Sequence, residues 1–376
     1  MNSSPEAIII GGGVIGCSIA YYLAKVGVKV TLLERGRIGE QASNAASGVL
    51  SASSPVDDSP YGRLTRESLS MFHTLHRELR ESCGVDTEFA QCGELSVALS
   101  DREAGEYQAY ARRQMEAGSP ARWLDHQSVH DYEPELSPSV LGGLLTPETC
   151  RINNQRLTGA FAKSAQWLGA DIREASEVVT LMRSGLRITG VRIHDEEIYG
   201  DYTVIAAGPW SKVISELVGS EVPVRPVRGQ NINLTPVRGS IRGVIHGSWG
   251  LLVPRNDGSI IAGATVEEVG FDCRVTAGGV RDIFNVATEI VPSLADATLN
   301  WTVAGLRPGS PDDMPILGPI PRWDGLLIAS GHYRNGILLS AITGKLIADH
   351  IMGENPELLD HFSIRRFREQ PAEVEA

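Results

Sequence analysis

The first residues that could do chemistry are three glycines near the start of the 376-residue sequence. Gly11, Gly13 and Gly16 form the pattern G-x-G-x-x-G after the apolar run 7–10, and Glu34 closes a second apolar run. Such glycines permit a tight turn, let the backbone touch a pyrophosphate and let a helix pack closely on a strand. The helix N-terminus offers N–H groups to phosphates, and Glu34 can accept hydrogen bonds from a ribose. The pattern predicts a dinucleotide site; the alternative is a packing turn without a ligand.

The segment 35–52 indicates which dinucleotide would bind. It is small and polar, with Ser43, Asn44, Ser47 and Gly48 along it. A plain βαβ continuation is expected for NAD, whereas a second loop that contacts phosphate and ring suits the longer FAD. On composition alone, a flexible surface loop stays open as the alternative.

A third group of polar residues lies far along the chain. His332, Tyr333 and Arg334 stand between Gly331 and Gly336, directly before an apolar helical stretch. A helix N-terminus and backbone N–H groups can stabilise negative charge on a ligand. Taken alone, however, the residues favour a solvated loop arginine and a structural histidine.

Several elements must position these groups. The apolar run 202–211 predicts a strand that stops at Gly208, at the sheet edge where ligands bind. The segment 251–272 predicts long antiparallel strands joined by an Asn-Asp-Gly turn. The segment 304–321 is rich in proline and is interpreted as a loop.

The chain length predicts two lobes, because one hydrophobic core stops growing at roughly 250–300 residues. The expected fold is α/β (α+β), with a Rossmann-type domain and an inserted antiparallel-sheet domain. We assign residues 1–89, 147–221 and 301–366 to the first domain and residues 90–146 and 222–300 to the second. Residues 367–376 are expected to form a flexible tail.

Composition narrows the partners. The formal charge is −12, and no basic stretch with interleaved aromatics occurs, which disfavours nucleic acid. The five cysteines form no CxxC pair, which fits a reducing cytoplasm and disfavours a metal site. The uncharged run 7–24 approaches the length of a membrane span, but its glycines favour the dinucleotide interpretation.

Six segments resemble a known family. They are "IIIGGGVIGCSIAYYLAK", "SNAASGVL", "VIAAGPWS", "VPRNDGSIIAGAT", "AGLRPGSPDDMPILGP" and "GHYRNGILLSAITGKLIADHI". Together they resemble the FAD-dependent D-amino-acid oxidase family, and within it the glycine oxidases of the thiamine pathway. The last two segments are the most specific, and the six cover nearly the whole chain.

The resemblance implies a set of site residues. Arg307 matches the arginine that holds a substrate carboxylate, and Arg334 matches a second arginine at the mouth of the same pocket. Together with Gly11, Gly13, Gly16 and Gly208, the residues expected to contact FAD are Val14, Ile15, Glu34, Arg35, Ala42, Ser43, Ser47, Gly48, Val49, Val178, His332, Tyr333, Arg334, Asn335, Gly336, Ile337 and Leu338.

The sequence also departs from the family pattern. Leu251 stands where glycine oxidases carry a tyrosine that helps to hold the carboxylate, and Trp249 is expected to fill part of that space. Glycine specificity is therefore in question, and a larger or N-methylated amine is an alternative. Gly305 stands near the position where relatives with covalent flavin carry a cysteine, so we expect non-covalent FAD.

The resemblance implies oxidation of glycine, sarcosine or small D-amino acids by hydride transfer from the α-carbon to flavin N5. The products would be an oxo acid, ammonia or an amine, and hydrogen peroxide, with a role in thiamine thiazole synthesis. No side chain is assigned as catalytic base, and no metal is expected. We expect a cytoplasmic homo-oligomer without a transmembrane segment. The alternatives are a dehydrogenase that passes electrons to a quinone or partner subunit, and an FAD-binding subunit or sensor without turnover.

Overall fold

The structure is a computed structural model and describes residues 5–194 and 196–367 of the chain. Within these ranges, strands and helices alternate at the start and longer runs of strands follow. The strands are β1 (Glu6–Ile10), β2 (Lys29–Leu33), β3 (Val49–Leu50), β4 (Ala90–Gln91), β5 (Glu94–Ala98), β6 (Arg122–Asp125), β7 (Gly142–Thr146), β8 (Cys150–Arg151), β9 (Asp171–Arg173), β10 (Val178–Ser184), β11 (Arg187–Ile193), β12 (Glu196–Tyr199), β13 (Tyr202–Ile205), β14 (Arg225–Thr235), β15 (Val244–His246), β16 (Leu251–Pro254), β17 (Ile260–Gly263), β18 (Thr298–Gly309), β19 (Ile316–Pro319) and β20 (Leu326–Ser330). The helices are α1 (Val14–Lys25), α2 (Ala42–Ala45), α3 (Pro60–Cys83), α4 (Asp101–Glu116), α5 (His126–Tyr132), α6 (Asn154–Trp167), α7 (Ser211–Glu216), α8 (Ala277–Ile290), α9 (Gly336–Ile351) and α10 (Glu357–His361). Short 3₁₀ turns cover Gly208–Trp210, Pro292–Asp296, Tyr333–Asn335 and Ile364–Phe367.

A six-stranded sheet in the order β19-β20-β13-β1-β2-β9 carries the dinucleotide pattern. Its strands are parallel except β19, which pairs antiparallel with β20. β1 lies between β13 and β2, and its residues 7–10 are all buried, as a strand covered on both faces requires. The sequence prediction of a Rossmann-type sheet is confirmed by this order.

Helix α9 is buried in the domain of the six-stranded sheet, where it packs against α1 and α3. It is apolar on nearly every side because other helices surround it. Two of its backbone carbonyls also accept hydrogen bonds from buried hydroxyl groups. Ser18 donates to the carbonyl of Ser340 (2.8 Å), and Ser68 donates to the carbonyl of Leu338 (2.5 Å). These contacts fix the N-terminal part of α9 relative to α1 and α3.

The uncharged run 7–24 divides between β1 and α1, with the glycine turn between them. None of the helices within the described residues combines the length and the apolar character needed to cross a membrane.

An eight-stranded sheet faces the first one, in the order β18-β14-β17-β16-β15-β5-β7-β6. Its pairs are antiparallel except β15 with β5. The predicted hairpin is present, since Leu251 pairs with Gly263 across the turn, although both strands are shorter than expected. Two small sheets, β10-β11-β12 and β3-β8-β4, complete the architecture.

The interpretation of residues 304–321 as a loop was wrong. Residues 304–309 of this segment belong to β18, which pairs with β14 over its whole length, and residues 316–319 form β19. Pro308 is tolerated because β18 is an edge strand with a partner on one side only, so the missing N–H interrupts no second ladder.

The predicted domain division stays a prediction. The eight-stranded sheet draws its strands from residues 94–146 and 225–309, so β18 runs across the predicted boundary between residues 300 and 301. Apart from residue 367, the predicted tail lies outside the described residues, as do residues 1–4 of the first domain.

Candidate active site

One cavity of about 490 Å³ opens between the carboxyl ends of the parallel strands and the facing antiparallel sheet. It extends from the glycine turn after β1 to the N-terminus of α9. This is where ligands bind in open α/β sheets. All the predicted site residues line this cavity except Gly16 and Leu338.

Those two residues lie behind the cavity wall. A Cβ atom at Gly16 would come within 1.9 Å of the Gly11 carbonyl, so this glycine allows α1 to approach β1. Leu338 is 1% exposed and belongs to the core around α9.

The glycine turn is built for close approach. Gly11 has φ +111°, and a Cβ there would lie 2.5 Å from the carbonyl oxygen of Ala206. Glu34 braces the turn, because its carboxylate accepts hydrogen bonds from the N–H groups of Gly12 and Gly36, both at 2.7 Å. Each carboxylate oxygen keeps a free lone pair, so Glu34 can still accept a further hydrogen bond from a ribose hydroxyl.

The loop that includes α2 is held from three directions. Asn231 on β14 donates to the Ala45 carbonyl (2.6 Å), and Asn154 on α6 donates to the Ser43 carbonyl (2.6 Å). Arg255 donates to the carbonyls of Ser47 (3.1 Å) and Ile152 (2.9 Å). Burial lowers the pKa of Arg255 to about 10, which leaves the guanidinium charged at neutral pH. The segment 42–49 is therefore a fixed wall of the cavity.

Val178 and the turn after β13 line the end of the cavity that is opposite to α9. Arg35 stacks on Trp210 there, with its guanidinium carbon 4.0 Å from the ring centroid. Trp210 lies beside the backbone of Gly208 in the same turn. A flat arginine–indole pair covers apolar surface while keeping the charge in contact with solvent.

The opposite end of the cavity is the turn before α9. His332 is 2% exposed, and its Nε2 atom lies 3.0 Å from the Thr343 hydroxyl. Burial lowers the pKa of His332 to about 3, so the ring is neutral at physiological pH. Asn335 donates to the Tyr61 hydroxyl (2.5 Å), which ties the turn to α3.

Arg307 and Arg334 both project into this end of the cavity. Arg307 donates to two carbonyl oxygens, those of Thr265 (3.0 Å) and Arg228 (3.3 Å). Burial, followed by the positive charge of Arg334, lowers the pKa of Arg307 to about 10. Within residues 5–194 and 196–367, neither Arg307 nor Arg334 forms an ion pair. Two cations without a carboxylate partner form a site that favours an anion.

A polar network below Arg307 fixes the carbonyls that hold it. Glu267 accepts hydrogen bonds from Arg228 (2.5 Å), Gln230 (2.7 Å) and Thr265 (2.6 Å). Burial alone would raise the pKa of Glu267, but these hydrogen bonds and the Arg228 charge outweigh it and hold the pKa at about 2. Glu267 therefore stays ionised, and the buried Arg228 stays paired.

Leu251 and Trp249 line the cavity on the side of the antiparallel sheet. Leu251 is partly buried and pairs with His246 on β15 and with Gly263 on β17. Trp249 is 46% exposed, so it contributes to the rim rather than to the floor.

Sequence reasoning missed part of the lining. The residues concerned are Glu94, Trp210, Gly229, Asn231, His246, Ala264 and Val266. Most of them belong to the eight-stranded sheet, in which alternate residues of each strand share one face. The alternation was visible, but which face meets the cavity depends on pairings between distant segments.

Cys273 lies near Gly305 in space, although the two residues are far apart in the sequence. Cys273 Sγ lies 3.3 Å from the carbonyl oxygen of Ala304, next to Gly305. Burial raises the pKa of the Cys273 thiol, which favours the unreactive protonated form. Among the described residues, no cysteine lines the cavity.

The residues present fit FAD. The glycine turn, Glu34 and the N-terminus of α9 line one continuous cavity, and they would hold the pyrophosphate, the ribose and the flavin ring of FAD respectively. At that terminus, backbone N–H groups and the helix dipole would face the flavin ring system.

Comparison with known proteins agrees with this geometry. Residues 6–350 match the family described as "DAO: FAD dependent oxidoreductase". The chain belongs to this family of FAD-dependent oxidoreductase enzymes, and within it is of the glycine oxidase type. The predicted fold class and family are thereby confirmed.

The relatives are similar over nearly all of this chain. The glycine oxidase of Bacillus licheniformis is 31% identical over 97% of this chain and 98% of its own length. The solved glycine oxidase of Bacillus cereus is 34% identical, with a TM-score of 0.89 over 95% of this chain and 98% of that one. The bifunctional protein ThiO/ThiG of Trichormus variabilis is 34% identical over 97% of this chain, which spans 55% of that relative's length.

Proposed function

We propose that this protein oxidises glycine, sarcosine or a small D-amino acid to the corresponding oxo acid, releasing ammonia or an amine and hydrogen peroxide. The observation that carries the proposal is the pair Arg307 and Arg334, two cations without an anionic partner among the described residues, in the cavity that also contains the FAD-type glycine turn. The names of relatives, glycine oxidase and ThiO/ThiG, support a small amino acid and a link to thiamine synthesis.

In this proposal, Arg307 binds the substrate carboxylate. Two of its hydrogen bonds go to backbone carbonyls, so its position is fixed before substrate arrives. A planar guanidinium can use its remaining N–H groups for two parallel bonds to a carboxylate. Arg334 adds a second positive charge at the mouth of the same site.

The two arginines also act on the substrate amine. Amine oxidation requires the neutral amine, and nearby cations lower the pKa of an ammonium group. No side chain is assigned as a base on the α-carbon. FAD, when bound, would supply the two-electron acceptor for the α-carbon hydride, with dioxygen as the proposed final electron acceptor.

We further propose that FAD is bound non-covalently and that the protein acts as a homo-oligomer in the cytoplasm. The absence of a cysteine among the described cavity residues supports the first point. The replacement of the family tyrosine by Leu251 removes a hydroxyl from the carboxylate side, and among the proposed substrates this favours sarcosine or a small D-amino acid over glycine.

The test is a peroxide-coupled assay on the purified, FAD-loaded protein with glycine, sarcosine, D-alanine, D-proline and a bulkier D-amino acid. In the same assay, Arg307→Ala should lower kcat/KM by at least about a hundredfold, because loss of one partner of a buried pair costs about 3–5 kcal/mol. Arg102→Ala, on the exposed face of α4, is the matched control. An Arg307→Ala variant with normal kcat/KM would contradict the carboxylate assignment.

A second outcome would favour a dehydrogenase. The hydrogen cyanide synthase subunit HcnC of Pseudomonas aeruginosa is 32% identical over all of this chain. Bleaching of the flavin by substrate under nitrogen, without peroxide formation in air, would indicate a quinone or a partner subunit as electron acceptor.

A further inference from the structure

Two glycines face each other across the strands β14 and β18. Gly229 pairs with Gly305 in the antiparallel register, and both line the cavity. Glycine weakens a strand interior and often marks a place where another group approaches closely. Each of these two glycines has a different neighbour.

Gly305 makes room for the loop 42–48. A Cβ atom there would lie 2.5 Å from the Cβ of Ala45 and 3.3 Å from the Cα of Ala42. This glycine therefore belongs to the wall that holds FAD.

Gly229 makes room for Arg307. The three heavy atoms nearest to a Cβ at Gly229 all belong to this guanidinium, with Nη2 at 2.2 Å, Nη1 at 2.3 Å and Cζ at 2.4 Å. The guanidinium therefore occupies the space into which a side chain at Gly229 would point. Arg307 pairs with Val227, which lies two residues before Gly229 and on the same face of the sheet. The Arg307 side chain therefore runs along this face to reach Gly229.

The backbone of Gly229 does not itself require glycine. Its φ lies outside the left-handed region, and its neighbours on β14 are ordinary strand residues. What a side chain would disturb is the position of the guanidinium, which must move by about 1 Å or more to restore ordinary van der Waals contact. The hydrogen bonds from Arg307 to the Thr265 and Arg228 carbonyls would then be stretched or lost.

We propose that Gly229 is a specificity-determining positioning residue, which sets the depth of the Arg307 guanidinium and hence the distance between the carboxylate site and the reacting carbon. The inference rests on the proposed function, since it assumes that Arg307 binds the carboxylate. A change of about 1 Å in such a position can cost about a hundredfold in rate.

The experiment compares Gly229→Ala, Arg307→Ala and the double variant in their FAD-loaded forms. Acetate and its neutral analogue acetamide are titrated into each protein, and binding is followed by the change in flavin absorption. Gly229→Ala should bind acetate about tenfold to a hundredfold more weakly, while acetamide binding and the FAD dissociation constant stay unchanged. Gly278→Ala, where a methyl group meets open space on α8, is the matched control.

Thermal unfolding supplies a readout that does not depend on the ligand. In the double variant the guanidinium is gone and the methyl group has room, so the double variant should melt at a higher temperature than Gly229→Ala. Acetate binding should fall no further in the double variant than in Arg307→Ala, because the two changes act through one group.

The outcomes separate the two proposals. If Arg307→Ala loses acetate binding and Gly229→Ala keeps it, the inference about Gly229 is wrong and the proposed function stands. If Arg307→Ala binds acetate as the unmodified protein does, the carboxylate role of Arg307 is wrong. A double variant that is less stable than either single variant would show that Gly229 acts independently of Arg307, which also overturns the inference.

Discussion

At the scale of single residues, His332 shows how burial decides a chemical role. Sequence alone favoured a structural histidine, whereas the family resemblance placed it beside the flavin. The structure has it lining the cavity and, at the same time, buried against Thr343. A neutral imidazole at this position can hold the turn before α9 without adding a third positive charge next to Arg307 and Arg334.

This burial predicts a dependence of stability on pH. The pKa of His332 is about 3 in the folded protein, against 6.5 as its ordinary value, so between these limits the unfolded chain binds a proton that the folded chain does not. The free energy of unfolding should therefore fall as pH drops below 6.5, by up to about 1.4 kcal/mol per pH unit from this group.

The measurement is chemical denaturation of the holoprotein and of His332→Gln from pH 7 to pH 5. The stability gap between the two proteins should narrow by up to about 2 kcal/mol over this range, since glutamine does not titrate. Thr343→Val, which removes the hydroxyl partner but no titrating group, should cost the same at every pH. A gap that stays constant for His332→Gln would show that the histidine titrates normally in the folded state.

At the scale of elements, the antiparallel sheet holds the loop 42–48 of the parallel-sheet layer. Arg255 follows β16 and reaches across to the carbonyls of Ser47 and Ile152 and to the side chain of Asn154 (3.1 Å). The hairpin β16–β17 is thus a brace for a cavity wall as well as part of a sheet.

Removal of this brace should weaken FAD binding. Arg255→Ala deletes three charge-assisted hydrogen bonds, and such bonds contribute roughly 1.5–3 kcal/mol each. We expect the FAD dissociation constant to rise by about tenfold or more, as measured by fluorescence titration of the apoprotein. The matched control is Arg187→Ala, an exposed side chain at the start of β11. Unchanged FAD affinity in Arg255→Ala would mean that the loop holds its shape without the brace.

Local patterns predicted some elements and not others. The glycine turn and the Asn-Asp-Gly hairpin were predictable because each depends on a few adjacent residues. β18 was not, because Pro308 is acceptable only in an edge strand, and the strand order is set by segments far apart in the sequence. Gly229 was missed for the same reason, since its role appears only when β14 and β18 pair and bring Arg307 over it.

At the scale of the whole molecule, the cavity collects residues from both sheets and from both ends of the chain. FAD would therefore be held by shape and hydrogen bonds from many segments. Cys273 approaches the Gly305 strand but lies outside the cavity lining.

This arrangement predicts that FAD is released on unfolding. Acid precipitation of the holoprotein should leave all the yellow colour in the supernatant and a colourless pellet, as quantified by absorption of the supernatant. Cys273→Ser should behave identically. Flavin retained in the pellet of the unmodified protein, and released from Cys273→Ser, would instead indicate a thioether bond.

The position of β20 beside β13 affects how this protein can fold during its synthesis on the ribosome. β13 ends at residue 205 and its neighbour β20 begins at residue 326. One edge of the apolar strand β13 therefore stays unpaired while the intervening residues are synthesised. At about 5–20 residues per second, the delay is on the order of ten seconds. The strands of the eight-stranded sheet all emerge before β20, so that sheet can assemble first. The nascent chain should therefore expose the unpaired edge of β13 until late in translation, and the proposed contacts of FAD with the N-terminus of α9 can form only after residue 337 has left the exit tunnel.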